Sequence, residues 1–234
     1  MIKTLLVQLF LVVSITSLAQ DGAKLKTADS LFATKKYTEA LGLYKELYAN
    51  NSASPAMLLK MAFVHDGSQQ YPEALYFLDL YYRTTADRLV LPKIEELAST
   101  NELSGYQYTD LDYFKAVFFK YRFQILILLI LFLVLTTLFH VRKIQKAERS
   151  NITLAFQVIL TLFLLAAINF REMNQGIVTS DFTTLRESPA AGASISQIIT
   201  KGHKVKVVDQ GLIWTLIEWE GELSYIKTAR LRLI

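Results

Sequence analysis

His65, His140 and His203 are the side chains of this 234-residue protein that titrate near neutrality and could act as general base or metal ligand. Metal binding needs partners at spacings such as His-x-x-x-His, and the three fall in separate regions without one. The chain has no cysteine, which removes disulfides, thiol nucleophiles and Cys-based zinc sites together. It carries no glycine-rich phosphate loop, no nucleophile elbow and no Ser/His/Asp set that its layout would assemble. Glu95 and Glu96 read as the solvated face of a helix, and the acceptor triplet Asn151-Ile-Thr153 sits at the start of an apolar run. The residues that could do chemistry therefore point to a protein without enzymatic activity, metal or cofactor. Function must lie in surfaces, and helices, strands and membrane spans must present them.

Apolar residues make up 52% of the chain but are unevenly placed, with uncharged runs at Thr4 to Ile15, Phe123 to Phe139 and Ile152 to Phe170. The first follows Lys3 and precedes the small residues Ser17 and Ala19, the order of a secretory signal spanning 1–19. An uncleaved anchor is the alternative, and either one exports the chain downstream of it. The other two runs predict transmembrane helices over 123–141 and 151–170, because a soluble helix of that length would show a polar face. Their connector, 142–150, carries four basic residues against Glu148, which marks it as cytoplasmic. Two signals thus place residues 20 to 120 and 172 to 234 on the outer side. Within the runs, Gln124, Thr136, Thr137, Gln157, Thr161 and Asn169 can join helices by hydrogen bonds. The absence of charge there excludes a proton or ion relay. Tyr106, Tyr108, Tyr113, Phe114, Phe118, Phe119 and Tyr121 suit an interfacial helix or linker over 106–122, with packing against the helical repeats as the alternative. A net charge of +4, with the basic residues beside apolar runs, makes nucleic acid a poor partner.

Tyr37-Thr-Glu-Ala-Leu41 is echoed by Tyr71-Pro-Glu-Ala-Leu75, 34 positions on, and the same offset pairs Ala28 with Ala62 and Tyr48 with Tyr82. The alanines supply points where antiparallel helices approach closely. Asn50 to Pro55 predicts a turn with Pro55 in the first turn of the next helix, and a capping helix runs from near Pro92 to near Gly105. Residues 20–105 resemble a pair of tetratricopeptide repeats (TPR). The resemblance implies a concave groove for a protein partner, lined at positions Leu25, Asp29, Phe32, Leu59, Phe63 and Asp66. Their mixture of apolar and acidic groups fits a peptide or helix with apolar and basic anchors.

After a tether at 171–180 the helical period disappears. Lys204 to Val208, Gly211 to Trp219 and Leu223 to Ile226 predict strands of a small antiparallel barrel. Alternation puts Ile213, Thr215, Ile217 and Trp219 on one face, with Trp214, Leu216 and Glu218 on the other. Trp214, Leu216 and Tyr225 are the candidate docking residues. Leu185-Arg-Glu-Ser-Pro189, Lys201-Gly202, Trp214-Thr-Leu-Ile217, Gly221 and Tyr225-Ile226, in that order, resemble a bacterial SH3 (SH3b) domain over 181–234. Where that family has Gly-Trp, this chain has Ser224-Tyr225, a departure that puts an inherited ligand site in doubt, binding of cell-wall peptides included.

The predicted fold class is a multidomain membrane protein: all-α TPR-like helical repeats, a two-helix transmembrane hairpin and a C-terminal small all-β SH3-like barrel. That order resembles the BatE-type proteins of the Bacteroides aerotolerance operon, over essentially the whole chain. The resemblance implies an inner-membrane complex with other Bat proteins, both soluble modules in the periplasm, and a role in aerotolerance or stress. The expected function is a non-enzymatic scaffold binding protein partners. The alternatives are a sensor of cell-wall (peptidoglycan) peptides and, further off, a subunit of an enzyme or transporter.

Overall fold

The computed structural model describes residues 21–145, 151–171 and 174–234. The signal segment at 1–19 lies outside them, as do residues 146–150 of the basic connector. Seven α-helices are present among the described residues. The first, α1, covers 21–33. It is followed by α2 (Tyr37–Ala49), α3 (Pro55–Gly67), α4 (Tyr71–Thr85), α5 (Leu91–Thr100), α6 (Asp110–Gln145) and α7 (Asn151–Asn169).

The 34-residue echo has a local physical cause. Lys35 and Gln69 both adopt left-handed backbone, with φ of 62° and 58°. Lys35 and Lys36 donate to the carbonyls of Phe32 and Leu31, while Gln69 and Gln70 donate to those of Asp66 and His65. Each bond has its counterpart 34 positions on, so the two turns are closed in the same way. Ala28, Ala40, Ala62 and Ala74 are all buried, so each helix pair approaches across a point where a longer side chain would not fit. The intervening turn ends with Ser54, whose hydroxyl accepts from the Met57 N–H at 3.2 Å, and with Pro55 in the first helical turn.

Helices α6 and α7 are long and apolar enough to cross a membrane. The fraction of their most apolar stretches buried inside the protein is 0% and 6%. A core helix of a soluble protein would bury that stretch, so these two present their apolar surface outward. The polar side chains expected to join them do so in part. Gln157 Nε2 donates to Thr137 Oγ1 at 2.7 Å. Thr136, Thr161 and Asn169 instead bond carbonyls of their own helices, and Arg122 donates to the Ile168 carbonyl at 2.6 Å across the hairpin.

The C-terminal part is one seven-stranded antiparallel sheet in the order β3-β2-β6-β5-β4-β1-β7. Its strands are β1 (Gln175–Val178), β2 (Thr183–Arg186), β3 (Ile195–Ile199), β4 (Lys204–Gln210), β5 (Trp214–Trp219), β6 (Glu222–Lys227) and β7 (Leu231–Leu233). Val178, Leu185, Val205, Ile217, Trp219 and Ile226 form its core. Strand β1 lies in the stretch read as a tether. Four residues carry little periodic signal, and Gln175 to Ile177 become a strand by pairing with Lys204 to Lys206. Ile213 departs from the simple alternation: it is 68% exposed, because β5 starts only at Trp214 and Ile213 belongs to the turn before it.

Helices and sheet are fused. Ile177 of β1 packs into the same apolar cluster as Tyr76, Phe77, Tyr106 and Ala116. Tyr106, read as a headgroup aromatic, is buried there, and its hydroxyl donates to the Gly202 carbonyl at 2.7 Å.

Candidate functional site

Aromatic side chains gather on two separate surfaces, one helical and one on the sheet. On the helical side, Phe32, Tyr37 and Phe63 form a triangle of edge-to-face rings with centroids 5.2, 5.7 and 5.6 Å apart. Asp29 beside them accepts from Tyr44 Oη at 2.6 Å and Lys60 Nζ at 2.7 Å, and Lys60 also stands over the Phe32 ring. Burial pushes the Asp29 carboxyl up, but those two hydrogen bonds and the Lys60 charge outweigh it and leave it below the usual value. Leu59, Phe63 and Asp66 line a neighbouring hollow of about 180 Å³ with Lys93, which pairs with Asp66 at 3.2 Å. Of the six residues expected to line a groove, Asp29, Phe32 and Phe63 thus meet in one cluster, and Leu59, Phe63 and Asp66 in the adjoining one. Leu25 is half-buried against the helical core. Phe63, at 56% exposed, belongs to both clusters. Lys60 and Lys93 were not anticipated; Asp29 and Asp66 each carry their own lysine.

On the sheet, Leu216 and Tyr225 are direct cross-strand partners, Trp214 faces Lys227 and Arg186 faces Tyr225. Trp214, Leu216 and Tyr225, all three half-exposed, therefore share the surface opposite the buried Thr215, Ile217 and Trp219. The Arg186 and Lys227 charges stand 6.0 and 5.9 Å from the Trp214 ring. The result is an aromatic patch with a cationic rim.

A joint between helices and sheet, not foreseen from the sequence, holds the two surfaces together. Lys204 Nζ on β4 lies 2.8 Å from Asp79 Oδ1 on α4, both almost wholly buried. Tyr108 also donates to that Asp79 oxygen, and Arg83 holds the other at 3.1 Å. Arg83 further donates to the Gln175 side chain at 2.6 Å and the Ile234 carbonyl at 3.1 Å, tying α4 to β1 and the end of β7. Burial raises the Asp79 carboxyl, yet the Lys204 and Arg83 charges carry it below its ordinary value. Lys204 is shifted down, since burial outweighs its attraction to Asp79. Arg232 adds a stacked contact 3.6 Å from the Tyr76 ring centroid. One clue to this joint was available: Asp79 is the lone charged residue in the run Ala74 to Tyr82.

Among the described residues no group of three or more His, Cys, Asp or Glu side chains could hold a metal ion. What the arrangement can do is present two aromatic surfaces on one packed body. Compared with protein-family models and with curated proteins, the chain matches none.

Proposed function

We propose that this protein is a membrane-anchored adaptor without enzymatic activity. In this reading, TPR-like helical repeats and an SH3-like barrel face the periplasm and bind protein partners, in a complex of the Bat type concerned with aerotolerance or stress. The observation that carries it is the fusion of the helical part and the sheet at one end of a membrane-length hairpin. The start of α6 packs against α4, and β1 comes directly after α7 at that same end. The hairpin then acts as an anchor for one body bearing both the Phe32–Tyr37–Phe63 surface and the Trp214–Leu216–Tyr225 surface. A partner touching both gains by effective concentration, and the fixed spacing reduces the ordering cost of binding.

Of the three outer-side cations that run against the positive-inside pattern, Lys115, Lys120 and Arg122, the last two have structural employment. Lys120 donates to the Thr85 carbonyl at the end of α4, and Arg122 to the Ile168 carbonyl near the end of α7. Both act as helix C-terminal caps, which supports reading the 142–150 connector as the cytoplasmic marker.

The test uses the cysteine-free background of the full chain. Phe63→Cys and Trp214→Cys, carrying a thiol-directed photocrosslinker in native membranes, are expected to capture a shared membrane protein. Capture of cell-wall fragments from Trp214→Cys alone would replace the adaptor with the peptidoglycan sensor. Orientation is read separately: Ser52→Cys and Ser194→Cys should react with an impermeant reagent in intact spheroplasts and Gln145→Cys should not, and the reverse pattern sinks the topology.

A further inference from the structure

Strand β4 runs toward the apolar end of the α6–α7 hairpin. It pairs antiparallel with β1, and β1 follows α7 and leads away from it. The Val207 N–H still donates to the Asn174 carbonyl at 2.8 Å, and Asn174 comes four residues after Phe170, whose ring stacks on Phe119 of α6. Lys206 lines the same hollow as Ala116 of α6. From Ala116 to Phe123, where the apolar run starts, α6 rises about 10 Å. From Lys206 to its end at Gln210, β4 extends about 13 Å. The turn after β4 therefore lies near the level at which the apolar run begins.

That turn is apolar where turns are ordinarily polar. Gly211-Leu212-Ile213 joins β4 to β5, and Leu212, at 99% exposed, is the most exposed large apolar side chain among the described residues. Ile213 is exposed beside it. Thr228 fixes the turn at both ends: its N–H donates to the Ile213 carbonyl and its hydroxyl to the Gly211 carbonyl, each at 2.9 Å. The two side chains are thus held outward on a braced tip. Trp214 comes next, half-exposed, with Lys227 as its cross-strand partner and the Lys227 ammonium 5.9 Å from its ring. Aliphatic tip, then indole, then cation is the order in which a segment passes from acyl chains through the interface to the phosphates.

We propose that the β4–β5 turn docks on the lipid surface of the membrane that holds the hairpin. Leu212 and Ile213 enter the headgroup–acyl boundary, Trp214 lies in the headgroup layer and Lys227 faces the phosphates. The inference rests on the membrane reading above. It gives the body a second point of attachment, which stops it from pivoting on the hairpin and fixes the direction of its other surfaces. Leu216 lies two residues further along β5, about 7 Å from Trp214 and away from the bilayer, so Leu216 and Tyr225 stay open to a protein partner.

The experiment is electron paramagnetic resonance of the full chain, whose natural sequence has no cysteine, in vesicles of phosphatidylethanolamine and phosphatidylglycerol. One nitroxide at a time is carried on Leu212→Cys, on Thr200→Cys beside the opposite end of β4, or on Leu131→Cys in the middle of the α6 apolar run. Relaxation by oxygen, which concentrates in lipid, against relaxation by a water-soluble nickel chelate reports depth. The Leu131 label is expected to read as deep, the Thr200 label as aqueous and the Leu212 label as about 5–10 Å inside the headgroup surface. Adding Ile213→Asp should return the Leu212 label to the aqueous value, with thermal unfolding reporting that the variant remains folded. A Leu212 label as open to nickel as the Thr200 label overturns the proposal, as does a depth that survives Ile213→Asp. So does a label shielded from both reagents, which would mean that protein covers the tip. A Leu131 label open to nickel would instead sink the membrane reading, and is scored independently.

Discussion

Lys204 Nζ and Asp79 Oδ1 lie 2.8 Å apart, although 125 positions and both membrane-length helices separate them in the chain. The pair closes the joint between helices and sheet, and around it converge Arg83 from α4, Tyr108 from the segment before α6 and Gln175 from β1. A buried ion pair brings little net stability over a well-packed apolar pair, but removing one member strands the other. The joint is therefore specific as well as tight.

Asp79→Ala leaves Lys204 and Arg83 buried without their shared carboxylate. Thermal unfolding of the full chain in detergent should show a loss of about 3–5 kcal/mol. The double change Asp79→Leu with Lys204→Met should recover most of it. A double variant as unstable as the single one would show that the charges themselves, rather than the stranding of a charge, hold the joint.

Gly105 approaches the partner backbone too closely for any side chain. Its φ is +94°, and a Cβ there would overlap the Lys204 carbonyl oxygen. Gly105→Ala is expected to loosen the joint and speed proteolysis between α7 and β1 in a limited trypsin digest. Gly42→Ala, on a helix surface with nothing within 4 Å, should add about 0.5–1 kcal/mol.

His203 gives the joint an acid sensitivity. Its Nδ1 accepts from the Ser104 N–H at 3.0 Å, a bond that only the neutral ring can make through that nitrogen. Burial lowers its pKa from 6.5, with Glu220 opposing. A base whose folded pKa is depressed contributes stability that is full above the unfolded value. That contribution is lost as pH falls below 6.5 towards the folded value. Melting temperature should decline through this range and His203→Asn, which keeps an acceptor in place, should flatten the decline. The residual slope belongs to His65, whose pKa is also lowered, by burial first.

Ala74 is fully buried where α4 crosses its neighbour. Ala74→Leu should cost about 1–3 kcal/mol by overpacking, measurable by denaturant unfolding. Ala56→Leu, at an exposed position on α3, should be close to neutral.

The helical part was legible because its signals are local. The turn ending at Lys35 and its copy at Gln69 use bonds within five residues, and Ala28 and Ala62 mark the helix contacts at the same offset. The apolar lengths of 123–139 and 152–170 likewise need no partner to be read as membrane-length helices. On the sheet, the alternation around Thr215, Ile217 and Trp219 located the core face, and Trp214, Leu216 and Tyr225 gathered opposite it because antiparallel register places them side by side. Strand β1 escaped notice because its four residues become a strand only beside β4. Aromatic density at Tyr106 and Tyr108 reports an apolar destination without saying whether it is the headgroup layer or protein packing; both join the helix–sheet joint.

By itself, then, the sequence determined the elements whose cause lies within a few tens of residues: the repeated helix pair, the two apolar helices and the central strands. Only the tertiary structure decided that Asp79 would meet Lys204, that Phe32, Tyr37 and Phe63 would form one cluster and that helices and sheet would become one body. Charge pairing and cavity shape depend on which surfaces dock, and no local pattern encodes the meeting of residues 125 positions apart.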